Sequence, residues 1–176
     1  MWLDIKGAVV ADTVYADKQL VAKDVAFTLP GISMLSASVK AMGDMDVPIV
    51  GMLENMELSI TKIGIDNGLS RMNRLVKQDF EFRWVQNVVK DNGSIATEGC
   101  KAFVRTLPGN VPGLGIEPGS TTEGEMSYGV TRVQIFVGGK EFLLVDRLSQ
   151  ILKIDGVDHM NAINTLLGDC ETRNDS

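Results

Sequence analysis

Apolar and polar positions alternate with a period of two over much of the chain. In Asp79 to Lys90 (DFEFRWVQNVVK), Phe80, Phe82 and Trp84 fall on one side and Glu81, Arg83 and Val85 on the other, the alternation of a half-buried strand. Lys101 to Leu107 sets Ala102, Val104 and Thr106 opposite Phe103 and Arg105. Met56, Leu58 and Ile60 alternate with Glu57, Ser59 and Thr61, and Val25, Phe27 and Leu29 with Ala26 and Thr28. Towards the C-terminal end, Val130 to Val137 and Lys140 to Val145 are β-branched and apolar runs separated by Gly138-Gly139. That dipeptide predicts a hairpin, because the primed turns that match strand twist need positive φ. Val133, Ile135 and Val137 point one way and Arg132, Gln134 and Phe136 the other, so bulk on the second face predicts a cover from another sheet, a helix or another subunit. A further apolar stretch, Leu148 to Ile154, ends at the turn signal Asp155-Gly156. At least six strands follow from these runs.

Helical spacing is rarer. Leu69, Met72, Leu75 and Val76 lie at helical intervals, with Asn67 or Ser70 as the cap and Arg71, Arg74 and Lys77 towards the end where the dipole favours cations. A short helix-like tail follows over Val157 to Leu167, with Asp155 and Asp158 read as turn and cap. Many strands and one short α-helix predict a mainly β fold, an antiparallel barrel or sandwich with the helix packed on it.

Two segments fall outside a closed core. Residues 36–52 (SASVKAMGDMDVPIVGM) begin as a strand and then run through Gly43, Pro48 and Gly51 while carrying apolar side chains that a solvated loop does not favour. This reads as a long projecting loop covered by another surface, with Met42, Gly43, Met45, Val47, Ile49 and Met52 as candidate inter-subunit contacts. Residues 107–123, rich in Pro and Gly, read as a connector between strands.

The length of 176 residues accommodates one domain, taken as residues 1–168, with a polar tail over 169–176. Hydrophobic residues make up 44% and charged residues 23%, with a mean hydropathy of +0.08, which excludes a disordered chain. No window holds the run of about eighteen apolar residues that a spanning helix needs. The N-terminus lacks the basic-then-apolar order of a secretory signal, so synthesis and retention in a cytoplasm are expected. The net charge is −6, with no run of Lys or Arg, which argues against a nucleic-acid-binding surface. An acidic wall along which a duplex slides without sticking remains compatible with it.

Catalytic chemistry is sparse. His159 is the only histidine; it excludes sites built on several imidazoles and sits in a polar turn, where a solvated histidine is the simpler reading. Asp155 and Asp158 lack the further oxygen ligands of a calcium loop. Gly113-x-Gly115 is embedded in the connector, without a strand-turn-helix unit around it. Cys100 and Cys170 are too few for a disulfide scaffold and have no zinc-ligand spacing. They read as two free thiols, with an inter-subunit disulfide as the sharper alternative, Cys170 reaching a neighbour and oxidising after release. No catalytic residue, cofactor or metal is expected, which favours a structural or binding role.

The order of motifs resembles one family. Gly139-Lys140-Glu141, Asp146, Gly156-Val157-Asp158 and the closing Leu166-Leu167-Gly168 follow the C-terminal end of major tail tube proteins from contractile-tailed bacteriophages and R-type tailocins. Thr28-Leu29-Pro30, Lys40-Ala41-Met42-Gly43, Pro48 and Gly51-Met52-Leu53-Glu54 follow the same family's earlier motifs. Departures are Met42-Gly43-Asp44 in place of a longer glycine run, Gly31 where a basic residue often stands, and the extension from Asp169 to Ser176. The resemblance implies homohexameric rings stacked into a hollow tube inside a contractile sheath. It also implies sheath, tape measure, baseplate and terminator proteins as partners, a place in the virion tail tube, and DNA passing through the lumen without specific binding as the tube crosses the host envelope. The alternative it leaves is a ring-forming tube of the type VI secretion kind, or a tailocin tube that carries no DNA.

Overall fold

The structure is a computed structural model that describes residues 4–168. In chain order the elements are β1 (Ile5–Ala16), β2 (Gln19–Lys23), β3 (Ala26–Thr28), β4 (Met34–Lys40), β5 (Asp44–Leu53), β6 (Glu57–Ile63), α1 (Asn67–Met72), β7 (Gln78–Val89), β8 (Ile95–Thr106), β9 (Glu123–Val137), β10 (Lys140–Asp146), β11 (Ile151–Ile154), β12 (Val157–Asp158) and α2 (Asn161–Leu166). The fold is mainly β and its strand pairs are antiparallel.

Strand β9 organises the molecule. Its second half pairs with β8 and β10, inside a sheet that runs β12-β11-β10-β9-β8-β7-β1-β2. Its first half pairs with β6, which pairs in turn with β3. One fifteen-residue strand therefore serves two layers, and the core lies between them. Leu58 and Ile60 of β6, Phe80 and Phe82 of β7, Ala102 and Val104 of β8, and Met126 and Tyr128 of β9 are at most 2% exposed. These are the inward members of the alternating runs. Each fully buried Leu, Ile or Phe contributes about 1.5–3 kcal/mol. Phe27 of β3 joins the layers by packing on Phe82, with ring centroids 4.6 Å apart.

Sequence periodicity anticipates β3, β6, β7 and β10 within a few residues, while β9 begins at Glu123, well before the run from Val130 that announces it. The hairpin turn has Gly138 at φ +58° and Gly139 at φ +82°, the positive-φ pair that the sequence requires. Strands β1 and β2 were not anticipated: register shifts at Lys6/Val9 and Val9/Ala11 break the period in the first half of β1. Strand β8 begins at Ile95, six residues before the run that announces it.

The first helix is shorter than its apolar spacing suggests, and its cap is Asp66 rather than Asn67 or Ser70. The Asp66 carboxylate accepts a hydrogen bond from the Leu69 N–H at 2.9 Å. Leu69 and Met72 are buried, whereas Leu75 and Val76 lie beyond the helix and are more than half exposed. Tertiary capping ends it: the buried Gln78 amide donates to the carbonyls of Arg71 at 3.1 Å and Arg74 at 3.2 Å, and the Tyr128 hydroxyl donates to that of Met72. These partners take up the carbonyls a helix end leaves orphaned. Likewise the tail helix α2 starts at Asn161, and Asp158 stands before it in β12, accepting from the Met160 N–H at 2.9 Å.

Candidate assembly surface

Residues 36–52 form a hairpin arm, β4–β5, a two-stranded sheet of its own outside the main layers. The projecting loop of the sequence reading is thus a regular ribbon. Register pairs Ala37 with Val47 and Val39 with Met45 on one face, and Ser38 with Asp46 and Lys40 with Asp44 on the other. Period-two alternation therefore makes the arm amphipathic. Its apolar face is uncovered: Val39 is 45%, Met45 50% and Val47 37% exposed. At the tip Met42 is fully exposed at φ +54°, beside Gly43 at φ +134°. Cross-strand pairs contribute only about 0.2–1 kcal/mol each, and a lone two-stranded ribbon is marginal in water. An arm of this length with one bare apolar face gains order from a second surface.

At the arm's root the register shifts between Met34 and Ser36. Ile49 is half-buried there, and Met52 is exposed. Gly51 adopts φ +87°, and a side chain on it would meet the Met160 Sδ at 2.6 Å. Glycine thus lets the root approach α2 closely. Between root and C-terminal elements lies a groove of about 470 Å³ lined by Leu35, Val50, Val145, Ile151, Met160 and Ile163. The Arg147 guanidinium closes one side by donating to the Leu53 carbonyl at 3.3 Å.

Met42, Gly43, Met45 and Val47 therefore lie along the outer part of the arm, while Ile49 and Met52 mark its root. A second apolar surface went unread in the sequence. Ile5, Val89 and Ile95 stand side by side across β1, β7 and β8, and Ile5 and Ile95 are each 72% exposed. Runs of β-branched residues in Ile5–Ala16 were its available signal.

Cys100 is 3% exposed, and burial, with the nearby Glu98 carboxylate, pushes its thiol pKa up. Cys100 is a free thiol within the subunit, and its burial leaves little of its sulfur open to exchange. Cys170 lies outside the described residues. His159 is exposed. Among the described residues no three His, Cys, Asp or Glu side chains gather as metal ligands would, and no helix is long and apolar enough to cross a membrane.

Residues 9–168, the arm included, match the family model of the phage tail tube protein FII. The chain belongs to that family. This tail tube protein is therefore a structural subunit, and its place is the tail tube of the assembled particle. Solved structures similar to the tail tube protein include a chain of the sheath-tube complex of the extracellular contractile injection system PVC in its extended state. That chain is 12% identical, with 72% of this chain and 88% of that one covered and a TM-score of 0.44. Another is the tube-terminating cap of the anti-feeding prophage, 12% identical over 72% and 87% of the two chains, with a TM-score of 0.46. No curated protein matches the tail tube protein.

Proposed function

We propose that the chain is the repeating, non-enzymatic subunit of a hollow tube built from stacked homohexameric rings. The tube is enclosed by a contractile sheath, bounded by tape measure, baseplate and terminator proteins, and driven through a host envelope to conduct DNA. The observation that carries the stacking is the arm. An amphipathic ribbon that leaves Val39, Met45 and Val47 bare is suited to lie on another copy, and Met42 at its tip extends the same apolar surface. A contact that joins the arm of one copy to a different surface of the next is head-to-tail, and when displaced along an axis it does not close. That produces a filament rather than a finite oligomer. The resemblance to tail tube proteins supports the ring size and the cargo.

Negative-stain microscopy of the purified protein tests the reading: long hollow tubes are expected, while monomers alone would sink it and isolated rings would favour a secretion-type carrier. Replacing both Met45 and Val47 with Asp is expected to abolish tubes and leave a folded monomer with unchanged far-ultraviolet circular dichroism. Tubes of normal length from that double variant would remove the arm from the contact.

A further inference from the structure

The chain carries one tripeptide twice, as Asp66-Asn67-Gly68 and as Asp91-Asn92-Gly93, and no other asparagine precedes a glycine. An asparagine followed by glycine is prone to cyclise, because the glycine nitrogen reaches the asparagine side-chain carbon with no side chain of its own in the way. Local sequence therefore gives the two sites equal reactivity. Both asparagines are exposed, so the backbone around each decides between them.

Asn67 opens α1. Closing the ring requires the Gly68 nitrogen to turn towards the Asn67 side chain, a rotation out of the helical region. Gly68 is held against that rotation. The Asp66 carboxylate accepts from its N–H as well as from the Leu69 N–H, and its α-carbon is pressed on β2, where an added side-chain carbon would collide with the Val21 carbonyl.

Asn92 stands instead in the turn between β7 and β8, beyond the last rung of the ladder, Val89 with Ile95. Residues 91–95 are exposed, and Gly93, at φ +80°, has open space where a side chain would project. Its N–H donates to the Lys90 carbonyl at 2.9 Å, a neutral acceptor at a hairpin end, where local opening is cheap. The Ser94 N–H and hydroxyl both donate to Asn92 Oδ1, at 3.0 and 2.7 Å. The first of these bonds folds the side chain back over the Gly93 nitrogen as an Asx turn. Both donors sit on the oxygen that gains negative charge when that nitrogen attacks, the placement of oxyanion donors.

We propose that Asn92 is a site of self-modification, its amide lost through a cyclic imide whose formation Ser94 assists, while Asn67 stays an amide in the folded chain. The Gly93 N–H proton passes to hydroxide and the nitrogen bonds to Asn92 Cγ. The Cγ–Nδ2 bond breaks, and ammonia leaves with a proton from water. A water molecule then opens the imide at either carbonyl, giving an aspartate or an isoaspartate whose side-chain carbon has entered the main chain. Either product adds a carboxylate beside Asp91, at the rim of the uncovered surface of Ile5, Val89 and Ile95. Hydroxide and water are the sole reagents, so the step requires no second copy and stands apart from the tube reading.

Peptide mapping by mass spectrometry tests this on full-length protein aged in mildly alkaline buffer. Heavy-oxygen water marks each conversion with one oxygen, and electron-transfer fragmentation separates the two acids. Folded protein is expected to convert Asn92 about tenfold or more faster than Asn67, and the two rates are expected to converge in denaturing urea. Equal rates in the folded protein, or a faster Asn67, overturn the proposal, as does an Asn92 that stays intact while the urea sample converts. Ser94→Ala lies in an exposed turn and removes one donor. It is expected to slow Asn92 in the folded protein by about two- to tenfold and to leave the rate in urea unchanged; an unaltered folded rate overturns the role assigned to Ser94.

Discussion

Asp66 joins a helix cap to a buried charge. Its carboxylate caps α1 and accepts from Lys62, whose side chain is only 8% exposed. The hydrogen bond from Lys62, then that from the Leu69 N–H, hold the Asp66 carboxyl below its ordinary value of 3.8. A depressed folded pKa gives stability that is present above the unfolded value and lost as pH falls through the folded one. Asp66→Asn keeps a capping side chain but removes the ion pair with Lys62, and is therefore expected to lower stability by about 0.5–1 kcal/mol at neutral pH, with the deficit against wild type shrinking at about pH 3 and below. Urea midpoints at the two pH values check it; an equal deficit at both would assign the loss to packing instead. Tyr128 is the other telling residue. Burial pushes its hydroxyl pKa well up, so it stays a donor to the Met72 carbonyl. Tyr128→Phe leaves that carbonyl only the longer bond from the Gln78 amide, at 3.4 Å, and is expected to lose about 1 kcal/mol, read from chemical denaturation. Alternation marks Tyr128 as an inward position; nothing local marks its partner, which lies 56 residues away.

Among elements, the arm was legible by composition and misread in shape. Methionines and valines between Ser36 and Met52 signalled a partnered surface, while Gly43, Pro48 and Gly51 suggested irregular chain. Pro48 sits in β5 opposite Ser36, where the ladder becomes irregular, a strand position that tolerates a missing donor. Gly51 takes the strained φ that lets the root turn. Gly51→Ala is expected to cost more than about 1 kcal/mol and to shift the root away from Met160, visible as a lower melting temperature with shorter or fewer tubes. Full stability and normal tubes would mean that the root has room the geometry denies. The first helix was legible in its buried half, Leu69 and Met72. Its end was not, because Gln78 and Tyr128 stop it from outside the helix.

At the scale of the molecule, pairing of β9 with β6, β8 and β10 turns a list of strands into two layers. The sequence by itself determined the mainly β fold, the inward residues of β6, β7 and β9 and the hairpin at Gly138-Gly139, because period-two alternation and positive-φ glycines are local properties. It also carried the ordered motifs of the family. Tertiary structure alone decided that residues 36–52 form a paired ribbon, that Cys100 is sealed and that α1 stops at Met72. Each of these depends on which strands become neighbours, and strand pairing joins residues far apart in sequence, where no local pattern reaches.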